Sequence, residues 1–261
     1  MKRTLIKSAQ NMIPEVFHNL LINAKTYDSS CSPEARVYFI DKDGGYYLKS
    51  ASKGSLMQEA ELTKYFHSKG LATNVLEYIS LDKDWMLTEK VTGEDCTYKM
   101  YLDDPKRLCD TTAELLRQLH KVDYNGCPVQ NRIDSYLETA ANNYYTDTYD
   151  KSSFPDSFGY TSAKEAWNIV EKYGHLFKAD TLLHGDFCLP NIMLDNWKFS
   201  KFIDLGNGGV GDKHIDIFWG IWTLYFNLKT NKYTNRFIDA YGRKDIEIEM
   251  LKVVAACEVF G

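Results

Sequence analysis

Between Leu182 and Gly206 the chain reads LLHGDFCLPNIMLDNWKFSKFIDLG, and here residue type and spacing first suggest chemistry. His184-Gly185-Asp186 is followed by Asn191, and then by Asp204-Leu205-Gly206. The pair Leu182-Leu183 ends in a polar loop that projects Asp186; Ile192-Met193-Leu194 leaves that loop as a strand, and Phe202-Ile203 reads as its partner strand, delivering Asp204. Two carboxylates and a carboxamide on such loops can orient the proton of a hydroxyl and give hard oxygen ligands to a small divalent cation. Phosphoryl transfer asks for little more, because its barrier is met mainly by positioning and by neutralising oxygen charge. Asp186 is the candidate to accept or orient the proton of an attacking alcohol. Asn191 and Asp204 are the candidate ligands of Mg²⁺, which keeps several waters and phosphate oxygens of its own.

The pattern resembles the catalytic loop H-R-D-x-x-x-x-N and the following D-F-G of protein kinases, with Gly185 in place of Arg and Leu205 in place of Phe. H-G-D-x-x-x-x-N with a later I-D-L-G is the variant of the aminoglycoside phosphotransferases, and the chain resembles that family from Ser32 to Gly261. The resemblance implies an α+β, two-lobed protein-kinase-like fold, with a small antiparallel-sheet lobe over 1–91 that binds nucleotide. A mainly helical lobe over 92–261 would carry catalysis and substrate binding, the two sharing one cleft. It also implies ATP or GTP as donor and Mg²⁺ as cofactor.

Several elements must position these groups. Residues 11 to 24 carry Met12, Ile13, Val16, Phe17, Leu20 and Leu21 at the spacing of an amphipathic helix. Ala35 to Ile40 and Tyr46 to Lys49, joined by Asp43-Gly44-Gly45, read as a hairpin. Lys49 ends an apolar strand, where kinases keep the ammonium that pairs the nucleotide phosphates. The turn Ser30-Cys31-Ser32-Pro33-Glu34 resembles the family's short nucleotide loop, making Ser32 a candidate phosphate contact. Ser55-Leu56-Met57-Gln58 has the form of a capping box. In the helix after it, Glu59, with Glu61 as competitor, is the residue the resemblance assigns to orient Lys49. Val75 to Ser80 and Trp85 to Val91 read as two further strands. By resemblance Thr88 lies behind the adenine, and Glu89 and Val91 offer backbone groups to its edge.

Beyond Thr92-Gly93 the pattern turns helical. Asp104-Pro105 is an N-cap followed by Pro at the first helical position, and the helix it opens ends near Lys121. Leu119-His120, Asp123 and Cys127-Pro128 resemble a signature of the 3′-phosphotransferases, with His120 read as structural. Residues 131 to 160 mix Asn, Asp, Tyr and Ser with little periodicity. Trp167, Val170, Tyr173, Leu176 and Phe177 suggest a helix packing under the catalytic strand pair, and Asp216 opens a strongly aromatic helix. The resemblance makes Asp216 a buttress of the catalytic loop. It makes Glu258, Phe260 and the Gly261 carboxylate candidate contacts to substrate.

Composition limits the partners. A net charge of −5 argues against a phosphate-backbone ligand, and acidic residues outnumber basic ones over 92–170, a surplus that suits a cationic alcohol and a solvated surface equally. Six cysteines without C-x-x-C spacing read as reduced thiols, and no apolar run is long enough to span a bilayer. We therefore expect a cytoplasmic protein with no nucleic-acid or membrane partner, and the resemblance implies a monomer acting on a small-molecule alcohol, a cationic antibiotic. The resemblance weakens where substrate would bind: the family's Arg after D-L-G is Asn207, and its Arg and acidic positions on the next helix are Trp222, Phe226 and Asn227. Phosphorylation of an aminoglycoside is the expected function. A kinase of another alcohol (a peptide antibiotic, a macrolide, choline or homoserine) and a non-catalytic nucleotide-binding scaffold are the alternatives.

Overall fold

The structure, a computed structural model, describes residues 3–151 and 158–261, so part of the segment read as irregular over 131–160 lies outside it. The chain divides into two compact units, one of Met1–Asp95 with Ile192–Gly206, the other of Cys96–Asn191 with Asn207–Gly261. A linear division after residue 91 differs from this in one main respect: the segment carrying Asp204 returns to the first unit.

In the first unit β1 (Thr4–Ile6), β2 (Lys25–Asp28), β3 (Ala35–Asp41), β4 (Tyr46–Ser52), β5 (Val75–Ser80) and β6 (Lys83–Glu89) form one antiparallel sheet in the order β1-β2-β3-β4-β6-β5. The β3–β4 turn runs through Asp43, Gly44 and Gly45 at φ 48°, 98° and 104°, a left-handed run that explains the paired glycines. Side chains alternate across β4. Leu48, with Tyr38, Ile40, Trp85 and Leu87, packs under Ile13, Phe17 and Leu21 of the N-terminal segment. Lys49 therefore falls on the opposite face, where Leu56 and Ala60 pack on Val75 and Met86. Each fully buried aliphatic or aromatic side chain in these clusters contributes about 1.5–3 kcal/mol.

Two local expectations change. The helix expected over 11–24 is instead two 3₁₀ turns, Ala9–Asn11 and Glu15–Phe17, and a short α1 (His18–Leu21). Pro14, lacking an N–H and held at ψ 147°, breaks the ladder, while Ile13, Phe17 and Leu21 are still buried at the anticipated spacing. The capping box before α2 (Met57–Ser68) does not form: Ser55 Oγ donates to the Ser52 carbonyl at 2.6 Å and Gln58 Nε2 to the Gly206 carbonyl at 2.8 Å. The buried Asp84 of β6 takes over, its Oδ2 accepting the Leu56 N–H at 3.0 Å.

A second, three-stranded sheet of this unit joins β7 (Glu94–Asp95), β9 (Ile192–Asp195) and β10 (Lys198–Phe202) in the order β10-β9-β7. Gly93 precedes β7 at φ +95°, and a Cβ there would lie 2.2 Å from the Leu194 carbonyl oxygen. Only glycine lets the chain pass so close to β9. The expected strand pair leading to Asp204 is present, with Phe202 opposite Ile192.

The second unit is mainly helical: α3 (Lys99–Leu102), α4 (Pro105–Leu119), α5 (Arg132–Thr146), α6 (Ala163–Tyr173), α7 (His214–Leu228), α8 (Thr234–Tyr241) and α9 (Ile248–Glu258), with β8 (Thr181–Leu183) and β11 (Gly209–Gly211) paired antiparallel. The α4 start is as expected, with Asp104 accepting the Arg107 N–H. α5 corrects the irregular reading of 131–146. Asn131 caps it by accepting the Ile133 N–H, and its buried stripe is thin, with Ile133 and Ala140 enclosed and Tyr136, Leu137 and Tyr144 partly so. α6 packs on α9. Val170, Leu183, Ile215, Val254 and Phe260 lie in the core those elements share.

Candidate active site

Within the first unit, the Lys49 ammonium lies 2.9 and 2.7 Å from the two Glu59 carboxylate oxygens and 2.7 Å from Asp204 Oδ1. Glu59 is buried and lies in the first turn of α2, whereas Glu61 is exposed, so the geometry selects between the two candidates. Burial alone would lower the Lys49 pKa, but the charges of Glu59 and Asp204 outweigh it and hold the ammonium above its ordinary range. The Glu59 carboxyl is pushed up by burial and pulled down by Lys49; with the ammonium on both its oxygens, the pair stands as an ion pair. Asp204 has φ 60°, a conformation that few non-glycine residues adopt, and its side chain stays half-exposed.

Ser32 is exposed on the β2–β3 turn. Ser30 and Asp28 close that turn: Ser30 Oγ accepts the Val37 N–H at 2.9 Å, and Asp28 accepts the Ser30 N–H at 3.0 Å and faces Arg36 at 3.2 Å. The Glu89 carbonyl ends β6 and accepts from Thr73 Oγ1 at 3.0 Å. Val91 follows β6 with its side chain buried.

Within the second unit, Asn191 Nδ2 donates to the Asp186 backbone carbonyl at 3.0 Å and to Asp186 Oδ2 at 2.9 Å. The carboxylate is thereby fixed in direction, and Asn191 keeps its amide oxygen for another role. The Asp186 N–H faces His184 Nδ1 at 3.3 Å, and the Cys188 N–H returns to the Asp186 carbonyl at 2.8 Å. Asp216, fully buried in the first turn of α7, accepts the His184 and Gly185 N–H groups at 2.7 and 2.8 Å. Thr223, two turns further along α7, accepts the Leu189 N–H at 3.1 Å. One helix thus holds both ends of the loop. His120 Nε2 approaches Asp216 at 3.2 Å and its Nδ1 pairs with the Tyr241 hydroxyl at 2.8 Å, a structural placement.

Gly185 explains the missing arginine of the loop. At φ +83°, a Cβ there would lie 1.8 Å from the Asn207 carbonyl oxygen. That carbonyl accepts from Arg132 Nε at 3.1 Å, and Arg132 Nη2 reaches Asn207 Oδ1 at 3.3 Å. A guanidinium from α5 therefore braces the position where the resemblance led us to expect an arginine side chain. No sequence signal pointed to it, because α5 itself was not legible.

Glu258 lies at the end of α9, its Oε1 accepting from the Tyr136 hydroxyl at 2.7 Å and from Trp219 Nε1 at 3.2 Å. Burial raises its pKa to about 7, against the pull of both donors, and the charge of Asp186 adds to the rise. Phe260 is fully enclosed by Tyr144, Tyr149 and Trp167, and Asn143 Nδ2 holds its carbonyl at 2.6 Å. It anchors the tail, so the direct substrate contact expected of its ring is closed to it. Gly261 is exposed.

A carboxylate aimed by an amide, a buttressed loop and an ammonium on a buried glutamate are the parts of a kinase-type transferase. Comparison with known proteins agrees. The family model described as the phosphotransferase enzyme family matches residues 32–252, and the chain belongs to that family. It is 49% identical over 249 residues to a protein of Lactococcus lactis subsp. lactis (strain IL1403) described as a probable aminoglycoside 3′-phosphotransferase, covering 95% of each. It is 26% identical over 231 residues to an aminoglycoside 3′-phosphotransferase of Enterococcus faecalis, covering 83% of this chain and 86% of the relative. The fold matches the crystal structure of an aminoglycoside-3′-phosphotransferase of type VIII at TM-score 0.76 and 21% identity, over 95% of this chain and all of the other. It also matches the aminoglycoside phosphotransferase APH(3″)-Id of Streptomyces rimosus, solved with ADP and streptomycin, at TM-score 0.70 and 18% identity, over 98% and 99% of the two chains. The α+β, two-lobed kinase-like fold expected from the sequence is thus the observed one. Among the described residues no helix is long and apolar enough to cross a membrane.

Proposed function

We propose that the chain transfers the γ-phosphoryl group of ATP, or GTP, to a hydroxyl of an aminoglycoside antibiotic and so inactivates the drug. The observation that carries this is Asp186 held by Asn191 Nδ2 on a loop pinned to Asp216 and Thr223. The close likeness to the Lactococcus protein supports the acceptor class.

Asp186 orients the acceptor hydroxyl and takes its proton as the oxygen attacks phosphorus. Lys49, fixed by Glu59, binds the donor's phosphate oxygens, and the protonated state its surroundings favour keeps it cationic through the pH range of activity. Ser32 adds a contact at the phosphates, and Glu89 and Val91 offer backbone groups to the base. Asn191 and Asp204 would each give Mg²⁺ one oxygen: Asn191 commits its nitrogen to Asp186 and keeps an oxygen, and Asp204 has an oxygen beyond the one facing Lys49. Two hard oxygens are enough for an ion that keeps its waters and phosphate ligands. When bound it would neutralise charge on the phosphates. Asp216 and Thr223 hold the backbone so that Asp186 need not reorganise during reaction.

The test is Asp186→Asn assayed with ATP, Mg²⁺ and a panel of aminoglycosides. A general base contributes about 10²–10⁴ in rate, so turnover should fall by that factor with nucleotide affinity retained. Turnover within a few-fold of the parent would remove Asp186 from its role.

A further inference from the structure

One face of α7 takes no part in holding the catalytic loop. Trp219, Trp222 and Phe226 recur at i, i+3 and i+7, which puts them on a single stripe beside the one that holds the catalytic loop. The rings touch in series. Trp222 meets Trp219 edge-on at 5.2 Å, and Phe226 stacks on Trp222 at 5.0 Å with planes 12° apart. Phe226 is 50% exposed, and scattered exposed apolar residues are ordinary, but a continuous ladder of three rings is a surface.

The two ends of the ladder differ in charge. At one end Trp219 donates to the Glu258 carboxylate, which is close enough to Asp186 for the two charges to interact. At the other, the Lys229 ammonium sits 4.1 Å from the Phe226 ring centre. Between them Ile217 to Leu228 contains no Asp, Glu, Lys or Arg. A protonated amine gains at the Glu258 end. A second amine at the far end would meet an ammonium and a ring whose negative face Lys229 already uses. Ring C–H groups or an apolar flank suit the middle, because polarised C–H bonds match the negative faces of aromatic rings.

Resting on the transferase reading above, we infer that the Trp219–Trp222–Phe226 ladder with Glu258 is the acceptor-reading surface. It selects an amino-sugar alcohol whose positive charge is concentrated at one end and whose remainder presents a ring face or apolar flank. α7 fixes the ladder rigidly relative to Asp186, since Asp216 and Thr223 on the same helix hold the catalytic loop.

Two probes separate this from recognition of a polycation: phenyl glucosaminide, with one amine and an apolar aglycone, and kanamycin, with amines on every ring. Affinities are measured by calorimetry without nucleotide, and acceptor and ATP KM values wherever turnover occurs. Trp222→Ala and Phe226→Ala should each weaken phenyl glucosaminide about tenfold, the scale of a desolvated cation–π or stacking contact, with ATP KM unchanged. Phe226→Asp should weaken it too and tighten kanamycin severalfold by placing a carboxylate at the distal end. Melting temperatures within a few degrees of the parent establish that each variant is folded. Phenyl glucosaminide affinities within twofold of the parent in both alanine variants, or kanamycin binding indifferent to Phe226→Asp, would overturn the inference. Because binding is read without turnover, absence of phosphorylation would count against the transferase reading alone.

Discussion

Replacing Gly185 with alanine should disable the enzyme while leaving it folded. The new Cβ would start 1.8 Å from the Asn207 carbonyl oxygen, far inside contact distance. That oxygen cannot simply retreat, because Arg132 Nε holds it at 3.1 Å. The loop must move instead, and Gly185 and its neighbour His184 are the two residues whose N–H groups Asp216 fixes. Asp186, the next residue, moves with them, and a displacement of about 1 Å at a reacting group costs about 10²-fold in rate. The positive φ of +83° adds about 1 kcal/mol of strain for a residue with a Cβ. Gly126→Ala is the matched control: its φ is +79° with nothing within 4 Å, so it takes the same backbone strain without the collision. Steady-state phosphorylation and thermal melting should show both variants slightly destabilised, with only Gly185→Ala losing about 10²-fold in kcat and neither changing nucleotide KM appreciably. A Gly185→Ala enzyme with kcat within threefold of the parent would refute the packing of the loop against Asn207.

Other expectations follow from single contacts. Glu258 is raised from 4.5 to about 7, so the folded state holds its proton more tightly than the unfolded chain does, and this group's contribution to stability is lost as pH climbs through that window. Its ionised form is the one that attracts an amine, so kcat/KM for a cationic acceptor should rise between about pH 6 and 8, and Glu258→Gln should abolish that limb; a profile unchanged in the variant would exclude Glu258 as its source. Asp84→Ala should lower unfolding free energy by about 1–3 kcal/mol by leaving the buried Leu56 N–H unpaired, whereas Ser55→Ala should cost no more than about 0.5 kcal/mol. Urea melts giving the reverse order would restore the capping box. Glu59→Gln should raise nucleotide KM with little effect on acceptor KM, because Lys49 loses the carboxylate that aims it; equal nucleotide KM values would detach Glu59 from the donor site.

The candidate site was legible where its residues are close in sequence. Asp186 and Asn191 sit on one loop, and the amide of one reaches the carboxylate of the other across five residues. Lys49 and Glu59 were accessible through strand and helix periodicity, although only burial decides for Glu59 over Glu61. Contacts set by distant packing were not legible. Asp84 replaces a local cap with a carboxylate from another strand, Arg132 braces Asn207 from a helix whose buried stripe is too thin to show in the sequence, and Pro14 splits a periodic segment into turns. Phe260 matched a pattern associated with substrate, yet three aromatic neighbours enclose it. The return of Ile192–Gly206 to the first unit is likewise a long-range pairing, with β9 laid against β7.

The central claim is transfer of a phosphoryl group to an alcohol by Asp186, and mass spectrometry of the acceptor tests it most directly. Incubated with ATP, Mg²⁺ and an aminoglycoside, the parent enzyme should convert the antibiotic to a species carrying one added phosphoryl group, with one ADP formed per molecule converted. Asp186→Asn should give none on the same timescale. ADP release with the antibiotic unmodified, or equal product from the variant, would contradict it.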